Sequence, residues 1–356
     1  MSRFFSTSHA ALNAYVPGEQ PKDGEYVKLN TNESPFPPSP SVAKIFSEFD
    51  TSELRLYPDP ECGEFIDALS ETYALPGECF IPSNGSDEIL HFAFNAFADP
   101  INGVAFPDIT YGLYPVCCSL YNFKQTLVPL DKNFCINPED YRFNDRMVVF
   151  ANPNAPTGIS LSLENVEKIL KYNPDRVVLV DEAYVDFGGE TAIPLIKKYD
   201  NLLITMTFSK SRSLAGERIA FAVGSPDLIS DLNKVRYSFN PYNLSRISIK
   251  AGAASLRDRE FFAECCKRII KTRENTALQL TSLGFSVLPS STNFLFASHP
   301  KLSGKELYEE LKRRRILVRH FNSDRIKNFI RVSIGTQDDM DRFINEITNI
   351  LLEVNK

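Results

Sequence analysis

The chain is predicted to be an α/β protein with a large, mostly parallel central sheet flanked by helices and a smaller α+β domain, and three observations predict it. Between residues 61 and 224, amphipathic stretches (61–75, 86–98 and 161–171) are interleaved with β-branched or apolar runs (103–106, 147–151, 177–180, 202–208 and 219–223). Strand and helix in alternation give a parallel sheet covered on both faces. After Tyr242 the texture changes: a long helical stretch, 244–283, carries no proline and no helix-ending glycine before Gly284. Short strands (285–288, 293–297, 316–319 and 329–334) and helices near 303–315 and 337–354 follow it. A chain of 356 residues is long enough for two such domains.

Residues 1–40 are rich in Pro, Asn and Ser and end in the cluster Pro35, Pro37, Pro38 and Pro40. With no periodicity and few backbone donors where proline stands, this segment reads as an arm lying on another part of the molecule. The expected division is an arm at 1–40 that adds to the small domain, a large domain at 41–245 and a small C-terminal domain at 246–356, with the long helix joining them.

Composition narrows the function classes. A net charge of −6 leaves no electrostatic footprint for nucleic acid, and the single compact basic run, 312–315, reads as the solvated face of a helix. No apolar stretch approaches the roughly 18–20 residues that span a bilayer, and residues 1–20 lack the apolar segment of a signal peptide, so the expectation is a cytoplasmic protein. Seven cysteines with two adjacent pairs (Cys117, Cys118 and Cys265, Cys266) make neither a disulfide framework nor a CxxC metal pattern. They read as small core residues or free thiols, and no metal site is expected. No GxGxxG follows a predicted strand, which disfavours a nicotinamide enzyme.

Lys210 is the residue on which the chemistry turns. It ends the run 202–208 through Ser209 and precedes a turn of small residues, with Arg218 beyond. A lysine at a strand end beside small residues suits the nucleophilic amine that a Schiff base to an aldehyde needs; the alternative is an ordinary surface lysine. Asp181 follows the run 177–180 at the carboxyl end of a strand, where ligands of open sheets bind. Its carboxylate can hold a pyridine nitrogen protonated, or merely cap the next turn. Tyr184 offers a phenol three residues on. Gly85, Ser86 and Asp87 open the apolar-periodic helix 89–97, and free N–H groups at a helix start bind anions, although a plain N-cap uses the same residues. Thr207, Ser209 and Arg218 add hydroxyls and a fixed cation. Tyr111 can stack on a flat ring or serve as core. The segment 152–158 is a Pro- and Gly-containing turn that can aim the Asn154 amide at such a ring.

In this order, these pieces resemble the fold-type I pyridoxal-phosphate aminotransferases, most closely their histidinol-phosphate aminotransferase branch. The resemblance runs over nearly the whole chain. It is carried by the segments 15–18, 28–35, 56–59, 180–184 and 329–336, and by Tyr242 and Asn243 ahead of the long helix. It implies a fold-type I transferase in which Lys210 forms the Schiff base with pyridoxal 5′-phosphate and then moves the substrate proton. It further implies that Asp181 pairs with the pyridine nitrogen, Tyr184 bonds the ring hydroxyl and Tyr111 stacks on the ring. Gly85, Ser86, Asp87, Thr207, Ser209 and Arg218 then hold the cofactor phosphate. Tyr57 of a neighbouring subunit reaches that phosphate, so a homodimer shares its active sites. Arg331 takes the carboxylate of the amino donor, and Arg319 and Tyr15 the phosphate of the substrate. The implied reaction exchanges an amino group between histidinol phosphate and 2-oxoglutarate, in histidine biosynthesis. Aromatic amino acids as substrates, a phosphothreonine decarboxylase on the same scaffold and a non-enzymatic regulatory module are the alternatives. About 40 residues precede the catalytic unit, too few and too proline-rich for a fused winged helix.

Two positions depart from the family pattern. Ala155 stands directly before Pro-Thr-Gly where many aminotransferases have asparagine, which leaves the ring-oxygen contact vacant or passes it to Asn154. Glu217 puts a carboxylate beside Arg218, in a slot more often apolar or small.

Overall fold

A computed structural model describes residues 2–10 and 12–354. The arm passes through a short 3-10 turn at Thr7–His9 and then forms β1 (Val27–Lys28). The central sheet contains β2 (Phe80–Asn84), β3 (Val104–Pro107), β4 (Gln125–Val128), β5 (Met147–Ala151), β6 (Val178–Asp181), β7 (Leu202–Thr207) and β8 (Ile219–Gly224), in the order β2-β8-β7-β6-β5-β3-β4. All neighbours pair parallel except β8, which runs antiparallel to both β7 and β2. Two reversals cancel, so β2 points the same way as β7. The carboxyl ends of β2, β3, β5, β6 and β7 and the start of β8 therefore share one edge.

Side chains alternate to the two faces of these strands and both faces are covered, which explains the near-continuous apolar runs. On one face Val148, Phe150, Val178 and Val180 pack with the helices Gly63–Tyr73, Leu163–Tyr172 and Arg246–Arg257. On the other, Met147, Val149 and Leu179 pack with Ser86–Phe97, Leu113–Tyr121 and Pro226–Phe239.

The smaller sheet contains β9 (Ser286–Val287), β10 (Phe294–Ser298), β12 (Arg319–His320) and β13 (Phe329–Ser333), and is antiparallel in the order β12-β13-β10-β9. β11 (Ile316–Leu317) leaves it to pair with β1, so the run expected as one strand at 316–319 serves two sheets. The helices Arg259–Ser282, Gly304–Arg313 and Gln337–Val354 close a separate core over this sheet.

The expected single helix at 244–283 is two, Arg246–Arg257 and Arg259–Ser282. Asp258 breaks it with φ −86 and ψ 63, and its carboxylate accepts a hydrogen bond from Ser41 Oγ at 2.9 Å. Ile249, Ala251, Ala253 and Leu256 of the first helix are buried in the core of the large sheet. The change of core thus falls at Asp258 rather than between 245 and 246.

Among the described residues no helix is long and apolar enough to cross a membrane. Six of the seven cysteines are buried and all are free. Of the basic run, Lys312 pairs with Glu19, Arg314 with Glu346 and Glu353, and Arg315 with Asp23.

Candidate active site

A cavity of about 730 Å³ opens at the shared strand edge, between the central sheet, the arm and the small sheet. Lys210 stands three residues after the end of β7 and lines it. Its Nζ donates to the carbonyl of Thr31 in the arm at 3.0 Å. Asp181, the last residue of β6, also lines the cavity and is 4% exposed. Its Oδ2 accepts from the Tyr114 hydroxyl at 3.0 Å and its Oδ1 from the Ala183 N–H at 3.2 Å. Burial pushes this carboxyl up to about 6, against the pull of those two hydrogen bonds and of Lys210. A cationic ring nitrogen beside it would return it to the carboxylate. Tyr184 accepts from Asn32 Nδ2 at 2.9 Å, and its ring centroid lies 5.8 Å from the lysine nitrogen.

An anion cradle lies at the end of β2. Gly85 has φ +80, so this turn needs glycine for its conformation, and a Cβ on it would sit 2.2 Å from Nη2 of Arg218 and push that guanidinium aside. The helix Ser86–Phe97 starts directly after it. Arg218, itself at φ 58, donates to Ser209 Oγ at 3.3 Å and faces Asp87 Oδ2 at 3.6 Å. Thr207 Oγ1 donates to Ser209 Oγ at 3.0 Å. Glu88 fixes the turn from behind, accepting from Asn84 N–H and Asn243 Nδ2, each at 2.7 Å. Tyr111 lines the cavity, donates to Asp87 Oδ1 at 3.0 Å and meets Tyr15 edge-on at 5.9 Å between centroids. Glu217 turns away from the cradle and accepts from Ser248 Oγ at 2.6 Å.

The opposite wall belongs to the small sheet. Arg319 of β12 and Arg331 of β13 are register partners, which places both on one face as direct cross-strand neighbours, and both line the cavity. Arg331 donates to the Asn30 carbonyl at 3.1 Å and leaves a buried Nε without a partner; burial pulls its pKa below the usual guanidinium range. Arg319 donates to the carbonyls of Val16 at 3.2 Å and Pro17 at 3.3 Å. Among the described residues no carboxylate lies within ion-pair distance of either arginine.

The structure gathers most of the residues singled out in the sequence and sets two apart. Asn154 is buried in its own turn, donating to Ile109 O and Thr157 Oγ1 at 3.0 Å and accepting from Thr110 Oγ1; Ala155 lines the cavity instead. Tyr57 lies outside the cavity, 77% exposed and stacked on Tyr242 at 4.5 Å. Sequence reasoning missed Tyr114 behind Asp181, the Thr31 carbonyl that receives Lys210, and Asn32. Asn32 is held by Ser333 Oγ and Asn293 Nδ2 and carries Tyr184. Only the segment 28–35 signalled the last two.

The donor set fits a flat, phosphate-bearing aldehyde. An amine, a buried carboxylate, a phenol and an arginine beside a glycine turn line one cavity, which is the set of groups such a molecule needs. This fold and site define an aminotransferase, and the family profile "Aminotransferase class I and II" matches residues 24–347. The chain belongs to that family, and within it to the histidinol-phosphate aminotransferases. It is 46% identical over 352 residues to the histidinol-phosphate aminotransferase of Brachyspira hyodysenteriae, covering 99% of each chain. It is 48% identical over 347 residues to that of Chromohalobacter salexigens, covering 98% of this chain and 99% of the relative. Among solved structures, a putative histidinol-phosphate aminotransferase of Erwinia carotovora superposes with a TM-score of 0.86 at 23% identity, over 96% of this chain and 99% of that one. The Sinorhizobium meliloti histidinol-phosphate aminotransferase in complex with pyridoxal-5′-phosphate gives 0.85 at 23% identity, over 92% and 91%. At such identities the likeness speaks to the fold.

Proposed function

We propose that the chain transfers the amino group of L-histidinol phosphate to 2-oxoglutarate, giving imidazole-acetol phosphate and L-glutamate, with pyridoxal 5′-phosphate as cofactor. The observation that carries this reading is the pair Arg319 and Arg331, two neighbouring cations that line the same cavity as Lys210 and have no carboxylate within ion-pair distance among the described residues. The two substrates between them bring a carboxylate and a phosphate to one place. The full-length relatives, named for this reaction, support it.

When bound, pyridoxal phosphate supplies an aldehyde that captures amines and a ring that takes up the electron pair left at the substrate's Cα. The rest is the work of the side chains. Lys210 Nζ holds the cofactor and then removes and returns the proton at Cα. Asp181 keeps the proton on the pyridine nitrogen, with Tyr114 holding the carboxylate in place. Tyr184 donates to the ring hydroxyl, Tyr111 covers the ring face, and Asn154 supports the Tyr111 loop from behind. The N–H groups of Gly85, Ser86 and Asp87, with Thr207, Ser209 and Arg218, hold the phosphate. Arg331 takes the glutamate carboxylate, and Arg319 with Tyr15 takes the phosphate of histidinol phosphate. These contacts would orient the substrate so that the proton at Cα, and for glutamate not the carboxylate, is the group that leaves.

The same reading makes the working form a cytoplasmic homodimer in which Tyr57 reaches the cofactor phosphate of the neighbouring subunit. It divides the chain into an arm, a large cofactor domain and a small domain, with Arg246–Arg257 on the large side.

The deciding measurement compares kcat/KM for histidinol phosphate and phenylalanine in the wild type and in Arg319→Ala. Histidinol phosphate is expected to be preferred, and the substitution to cost it about 10- to 100-fold while phenylalanine changes little, as expected for loss of a hydrogen bond to a charged group. Preference for phenylalanine, or an unchanged histidinol-phosphate value in Arg319→Ala, would refute the assignment.

A further inference from the structure

We infer that Arg325 and Asp108 are positioning residues for the substrate side of this site, a clamp that fixes the strand pair carrying Arg319 and Arg331 relative to Tyr111. What the positioned groups bind rests on the transamination reading above.

Neither side chain lines the cavity. Arg325 lies in the connection between β12 and β13 and reaches across to the large sheet with three hydrogen bonds. Nη1 donates to Asp108 Oδ2 at 2.7 Å, and Nη2 donates to the carbonyls of Leu130 at 2.8 Å and Asp131 at 2.9 Å. Asp108 directly follows β3, and its other oxygen accepts from the Leu130 N–H at 2.9 Å. One carboxylate oxygen is thus tied to the large sheet while the other is offered across. A planar guanidinium fixes direction as well as distance in such an arrangement.

Under the clamp lies a small core drawn from both sides, Ile109 and Leu130 with Phe296 and Ile326. It leads to the arginines. Phe296 stacks on Phe329 at 4.7 Å and meets Phe321 at 6.1 Å. The Phe321 ring lies 5.8 Å from the guanidinium carbon of Arg319 and 5.6 Å from that of Arg331. In the other direction Asp108 begins the turn that presents Tyr111, and Asn154 holds the same turn at Ile109 and Thr110. A shift at Arg325 therefore moves the anion-binding wall relative to the ring-covering tyrosine. The ion pair is partly exposed, 37% for Arg325 and 22% for Asp108, so its contribution to global stability is small and its effect falls on geometry.

The test uses cofactor-loaded Arg325→Gln, Asp108→Asn, the double variant and Arg325→Lys. In each single neutral variant, KM for glutamate and for histidinol phosphate is expected to rise about tenfold while kcat stays within about twofold and cofactor retention on dialysis is unchanged. The double variant is expected to be no worse than the worse single, because the two residues act as a unit. Arg325→Lys, which keeps the charge but loses the fork, falls between. A second readout needs no turnover: backbone hydrogen exchange at 108–112 and 321–328 is expected to speed up in both singles. Faster exchange in a protein whose wild type turns over neither substrate would sink the transamination reading and leave the clamp standing. Unchanged exchange at both segments, effects that add in the double variant, or cofactor loss with unaltered KM would overturn the clamp.

Discussion

Asp181 and Glu182 are adjacent buried carboxyls with opposite surroundings. Asp181 faces the cavity. Glu182 faces the interior, where it accepts from Thr191 Oγ1 and the Ala192 N–H, each at 2.6 Å, and burial pushes it up to about 8. An unfolded chain releases this proton in the usual carboxylate range, so between roughly pH 4.5 and 8 the folded state holds a proton that the unfolded state has lost. The folded form then binds more protons, and stability falls as pH rises through that window. Glu182→Gln, which can still accept from Ala192, is expected to show a flatter decline of Tm between about pH 5 and pH 9 than the wild type. Identical slopes would mean that Glu182 is charged throughout. At this scale the sequence exposed the residues that end strands: Lys210, Asp181 and Arg218 follow or precede apolar runs, and the edge of an open sheet is where ligands sit. It did not expose their partners. Thr31 meets Lys210 across 179 residues and Asn32 meets Tyr184 across 152, contacts that only tertiary packing creates.

Elements were legible where their pattern was long and clean. The runs 147–151, 202–208 and 219–223 match β5, β7 and β8 within a residue or two because both sheet faces are covered and nearly every position is apolar. β2 was not expected, since Pro82, Ser83 and Asn84 disfavour a strand; its pairing with β8 overrides local preference. The helices Pro40–Glu48 and Pro226–Phe239 were not expected either, although Ser39 and Ser225 cap them ahead of a first-turn proline. The break at Asp258 carries no glycine or proline signal, and the reason for it lies in packing. Gly252 explains how closely the first half of that long stretch is held. A Cβ there would lie 2.9 Å from Phe65, which is fully buried and has nowhere to move. Gly252→Ala gains about 1 kcal/mol of helix propensity and loses about 1–3 kcal/mol to overpacking. A net loss is expected in urea unfolding. A gain would show that the crossing with Gly63–Tyr73 is looser than drawn.

On the scale of the whole molecule, several of the exposed aromatic and aliphatic groups fall on two segments, 54–57 and 237–242. Tyr57 and Tyr242 stack together, and Leu54, Leu56 and Phe239 are exposed on the same two segments. A patch of that kind marks an interaction surface, and the proposed dimer would cover it and carry Tyr57 into the second site. Shared sites have a measurable signature. Mixing Lys210→Ala with Tyr57→Phe under conditions of subunit exchange is expected to restore about a quarter of wild-type activity, since half the dimers are hybrids and each regains one intact site. No gain over the separate variants would place Tyr57 in its own subunit's site or in none.

The cross-strand pair Arg319 and Arg331 has a consequence for the protein's lifetime. Like charges set opposite each other on a strand pair weaken it, and an anion bound between them would offset that repulsion. An anion in the cavity thus acts as a removable part of the small sheet, and each bound molecule adds to the folding equilibrium by mass action. Resistance to heat and proteolysis is then expected to rise with the concentration of anionic substrate.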